Sequence, residues 1–208
     1  MPFFTKERIV AFTALFAVEG PMACAFMYYL FVNVFNEASC PASDVARIMW
    51  IIERLFLLVF PSFAYLWGAM RAFDTSTKAE DPFAGAESKR HQTFQKILTN
   101  NTEQTAIFVP TIMSLAVLVP DELWPMVPTF FYTFVIGRWA FGAGYFVPTL
   151  AANNPLAPFG TLYGWARSPG MNLTLYPCNF ALCFAAYYLM YGEKSVPAPT
   201  GKKAFGVF

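Results

Sequence analysis

Six ionisable side chains stand inside stretches that are otherwise apolar: Glu19, Glu53, Arg54, Lys96, Glu103 and Arg138. Two groups among them are spaced for chemistry. Lys96, Asn100 and Glu103 fall at i, i+4 and i+7, which puts a cation, an amide and a carboxylate on one helical face, with Gln104 beside them. Arg138 and Tyr145 also stand at i and i+7, so a guanidinium and a phenol share a face. Gly137 and Gly144 form an adjacent stripe where another backbone can come close. Where two such faces meet, they suit a small zwitterion, with Glu103 taking an amino group and Arg138 a carboxylate. The same residues can instead satisfy one another as interhelix glue, because three acids and three bases sum to zero and pairing lowers the cost of burial.

The elements that must position these groups are long apolar helices. Of 208 residues, 57% are apolar, 19% aromatic and only 13% charged, against roughly 25% charged in a typical soluble chain. Mean hydropathy is +0.44. An integral membrane protein follows from this. Five stretches have about the 20 apolar residues that a spanning helix needs: Ile9 to Phe35, Ile48 to Met70, Phe94 to Val119, Leu123 to Val147 and Met171 to Tyr191. Loop chemistry separates them at Asn36 to Ser43, Asp74 to Arg90, Pro120 to Glu122 and Pro148 to Gly170. Lys6, Arg8, Arg71, Lys78, Lys89, Arg90 and Arg167 then fall on one side, against Arg47, Lys194, Lys202 and Lys203 on the other, which favours a cytoplasmic N-terminus. Glu19, beside Pro21, is expected to satisfy a basic side chain such as Arg54. Trp124 and the pairs Tyr28-Tyr29 and Tyr187-Tyr188 read as interfacial belts, and His91 as a solvated surface residue.

Other chemistries find little support. A net charge of +1 leaves no positive field for phosphates, so nucleic acid is not an expected partner. The four cysteines (Cys24, Cys40, Cys178 and Cys183) follow no metal-ligand or disulfide spacing, and with a single histidine no metal site is expected.

The segment Lys96-Ile97-Leu98-Thr99-Asn100-Asn101-Thr102-Glu103-Gln104, followed by Phe108 and Pro110, resembles the second-helix signature of the MAPEG family, the membrane-associated proteins in eicosanoid and glutathione metabolism. Gly137-Arg138 through Gly144-Tyr145 resembles that family's third-helix signature. The resemblance implies an all-α integral membrane fold, with a MAPEG-like four-helix bundle over residues 46–192. Residues 1–45 would add an N-terminal transmembrane helix and loop, as in mattrin-like members, and 193–208 a C-terminal tail. It further implies a homotrimer embedded in membrane lipid, or a subunit of a larger membrane complex, with glutathione as the cofactor between neighbouring subunits. Lys96, Asn100, Glu103, Arg138 and Tyr145 would bind it. The implied location is the endoplasmic reticulum or another endomembrane, with a mitochondrial membrane as the alternative.

Two departures bear on activity. Lys96 stands where many members have an arginine, keeping the charge without the planar fork. The family's thiolate-stabilising arginine has no counterpart, because no Lys or Arg occurs from Trp139 to Ala166. A thiol of pKa near 8.5 is mostly protonated at neutral pH without such a cation. The expectation is therefore a non-catalytic binding or accessory structural subunit with a degenerate glutathione-type pocket. The alternative is an active glutathione-dependent transferase or peroxidase acting on lipophilic substrates. A proton pathway through Glu19, Glu53 and Glu103 ranks third.

Overall fold

The computed structural model describes residues 6–69, 88–144 and 162–192. Tyr145, the tail 193–208, most of the expected loop from Asp74 to Arg90 and most of the stretch lacking an arginine lie outside the described residues. Within them the chain is helical, with no strand. The helices are α1 (Lys6–Tyr29, continued by a π-helical turn, Leu30–Val34), α2 (Asp44–Ile52), α3 (Phe56–Ala69), α4 (Lys89–Leu118), α5 (Met126–Gly144) and α6 (Leu162–Tyr191).

Local chemistry explains the boundaries. Ser43 and Ser88 cap α2 and α4, accepting from the backbone N–H groups of Ala46 at 3.2 Å and His91 at 3.1 Å. The expected second span is broken between α2 and α3. There Arg54 N–H donates to Ile51 O instead of Trp50 O, and the Arg54 side chain fills the gap, its Nη1 donating to Trp50 O at 2.8 Å. Its guanidinium lies over the Trp50 ring, 4.1 Å from the centroid, and its Nη1 also reaches Glu53 Oε2 at 3.3 Å. Arg54 therefore pairs with its neighbour Glu53, and the expected pairing with Glu19 is not formed. The last helix starts at Leu162, earlier than the Pro/Gly-rich sequence suggests. Pro169 and Pro177 sit inside α6, as Pro21, Pro61 and Pro110 sit inside α1, α3 and α4. Interior prolines are tolerated where packed neighbours re-satisfy the freed backbone groups.

Contacts set an alternating up-and-down arrangement. α3 meets α4 antiparallel through Ser62 and Asn101. α4 meets α5 through the stacked rings of Phe108 and Phe134, 3.8 Å apart. α5 is the central helix, with 14 of its 19 residues buried. It lies antiparallel to α6 at very close range: a Cβ on Gly137 would strike the backbone of Leu173 and Thr174, and one on Gly170 the backbone of Phe141. Gly137 thus admits another backbone at close range, as expected of it. α1 runs parallel to α6, joined where Glu19 meets Asn172 and where the Tyr176 hydroxyl fills the space beside Gly20.

Two stretches are long and apolar enough to cross a membrane, Ala17–Val34 and Pro169–Tyr191. Only 22% and 28% of them is buried, so most of their apolar surface faces outward, unlike the core helix of a soluble domain. The other three expected spans are helical but shorter or more polar: α3 has 14 residues and α4 carries Lys96 and Glu103. Trp124 is not an interfacial residue. It is 1% exposed, packed edge-on against Trp50 at 5.8 Å. Tyr28, Tyr29 and Tyr187 are exposed, as a belt requires.

Candidate functional site

Pairing between the two polar faces begins with Arg138. Arg138 is 2% exposed, and its guanidinium reaches from α5 to α4. Nη1 donates to Asn100 Oδ1 at 3.0 Å and to Asn100 O at 3.3 Å. The ring of Phe141 lies below it, 4.6 Å from Cζ to centroid, a cation–π contact in a desolvated setting. Asn100 and Arg138, placed on consecutive helices by spacing alone, are therefore brought together. Lys96 and Glu103 are not part of this contact. Both are exposed on α4, flanking the half-buried Asn100 along one edge of the bundle.

The Arg138 level of the bundle holds further polar groups. Asn101, 2% exposed, donates through Nδ2 to Ser62 Oγ on α3. Asn172, 1% exposed, donates through Nδ2 to Glu19 Oε2 at 2.6 Å. The buried Oδ1 atoms of Asn101 and Asn172 have no hydrogen-bond partner among the described residues, and such atoms are seldom left dry in a native structure. Glu19 is thus met by the Asn172 amide, reaching it from α6. His91 is also buried, at 5% exposed, instead of solvated.

A second polar cluster escaped the sequence reading. Arg47, 6% exposed, reaches from the start of α2 to the end of α4. Its Nη1 donates to Val119 O at 2.8 Å and Ala116 O at 3.2 Å, while Nη2 pairs with Asp121 and lies 3.0 Å from Cys40 Sγ. The cause is legible in hindsight. Residue 120 is proline, which has no N–H to give the carbonyl of Ala116, so the helix end needs an outside donor. Burial pushes the Cys40 thiol above its ordinary pKa, and the Asp121 carboxylate adds to the shift, outweighing the opposing pull of Arg47.

Among the described residues no group of His, Cys, Asp and Glu could hold a metal ion. This edge holds a buried guanidinium bonded to an amide, with a cation and a carboxylate exposed beside them on α4. Among the described residues, Arg138 is the only cation in contact with Asn100. No model of a protein family, no curated protein and no solved structure matches this sequence.

Proposed function

We propose that the chain is a multi-pass membrane protein of the MAPEG kind that serves as a non-catalytic binding or accessory subunit, with a degenerate glutathione-type pocket on the α4–α5 edge. The observation that carries this reading is the Asn100–Arg138 contact. Residues from two separate motifs, 38 positions apart, meet in a partly buried hydrogen bond. Lys96 and Glu103 stand exposed on the same edge of α4, where a neighbouring subunit of a homotrimer would close the pocket over a tripeptide. Reduced glutathione has the charges that this edge complements: carboxylates for Lys96 and Arg138, an ammonium for Glu103. Tyr145 completes the proposed set.

The test is the melting temperature of the purified protein in mild detergent, with and without millimolar reduced glutathione. At about a hundred times the dissociation constant the ligand adds roughly 2.7 kcal/mol of apparent stability. Glu103→Gln, at an exposed position, should keep the unliganded melting temperature and lose the shift. An unchanged melting temperature with glutathione would defeat the binding reading. Turnover of a lipophilic electrophile or hydroperoxide would replace the accessory role with the transferase or peroxidase one.

A further inference from the structure

Where α1, α5 and α6 come together, the bundle opens into a groove of about 340 Å³, within the roughly 300–1,000 Å³ of known small-molecule sites. Its walls include Cys24, Tyr28 and Phe31 of α1, Phe130 of α5, and Phe180 and Phe184 of α6. It lies far from the Asn100–Arg138 edge, toward the opposite end of the bundle. Two of its three walls belong to the stretches apolar enough to cross a membrane.

We propose that this groove holds one hydrocarbon chain of a membrane lipid. Charge complementarity points to an uncharged occupant, since no charged side chain lines the groove. Thr129, in its lining, spends its hydroxyl on Pro125 O at 2.8 Å, so this buried hydroxyl is not offered to a ligand. Size argues against a protein partner. The groove exposes far less than the roughly 800 Å² per partner that a stable complex buries. An α-helix is about 10–12 Å across with its side chains, and helices pack in membranes over small residues, whereas this lining is mostly Phe, Met and Tyr, with Thr129 and Cys24 and no glycine. A flexible chain can thread between such rings. The proposal rests on the membrane reading but not on glutathione binding.

The experiment uses the full chain in phosphatidylcholine vesicles containing a rising fraction of phosphatidylcholine with a diazirine midway along one acyl chain. After illumination, labelled peptides are mapped by mass spectrometry. Peptides holding Cys24 to Phe31 and Phe180 to Phe184 should saturate at a low probe fraction, while the exposed Val59-Phe60 face of α3 should label in linear proportion. Cys24→Trp, which fills the groove from a half-exposed position, should lower the groove label at least fivefold and leave the α3 label unchanged. A groove label that rises linearly without saturating overturns the proposal, with no variant needed.

Discussion

Arg47 shows how one side chain can close a helix that its own sequence leaves open. Pro120 removes the donor for Ala116 O, and the guanidinium supplies it together with a bond to Val119 O. Hydrogen bonds from a charged group are worth about 1.5–3 kcal/mol each, so Arg47→Ala should lower stability in detergent by about 2–3 kcal/mol. Asp121→Ala should cost less, because that carboxylate is 77% exposed. Equal losses from the two variants would mean that the ion pair, not the carbonyl contacts, holds the end. Cys40 beside it offers a chemical readout. Thiolate is the reactive form, and a raised pKa means less of it at any pH below that pKa. At pH 8 Cys40 should react with iodoacetamide more slowly than free cysteine in the same detergent buffer, and the gap should narrow as pH rises. At this scale the sequence made Asn100 and Arg138 legible, since helical spacing fixes which residues share a face. Arg47 was not legible, because its partners lie about 70 positions away and only the fold brings them near.

Among the elements, the α5–α6 pair is held at a distance that glycine sets. Gly137 and Gly170 each meet backbone, which cannot move aside as a flexible side chain can. Gly137→Leu or Gly170→Leu should destabilise by about 3 kcal/mol or more, the upper end for overpacking. Ala143→Leu, at an exposed site on the same helix, should change little. Thermal unfolding followed by circular dichroism compares the three, and a tolerated Gly170→Leu would show that the helices can separate freely. Hydropathy located the helices because apolar runs of this length have few other uses, but it misjudged where two of them break or begin. The turn at Glu53 to Leu55 stays inside an apolar run because Arg54 replaces the lost backbone bond. Pro169 and Gly170 read as loop residues, yet close packing on Phe141 keeps both within α6. Trp124 was misread for the same reason: only the fold reveals that Trp50 covers it.

For the whole molecule, the alternating contacts put the α1–α2 loop and the α4–α5 turn at one end and the start of α4 at the other. In the proposed membrane arrangement these ends face opposite compartments. Single cysteines placed at Ser43 and Glu122 in a cysteine-free background should react with an impermeant maleimide from the same side, and one at Ser88 from the other. Labelling of Ser43 and Glu122 from different sides would break the alternation. Arg47 drops out of the charge balance, since it is buried against a helix end, and that sharpens the bias toward a cytoplasmic N-terminus.

The parallel seam between α1 and α6 has a consequence in time. Glu19 and the Asn172 amide that meets it are 153 residues apart in the chain. At about 5–20 residues per second, a ribosome takes roughly 8–30 s to make the second after the first. In the proposed membrane arrangement, once α1 has emerged from the ribosome it carries an intramembrane carboxyl group whose amide partner has not yet been synthesised. On that reading, the insertion machinery or lipid headgroups at the bilayer edge would shelter the first helix until the last one arrives.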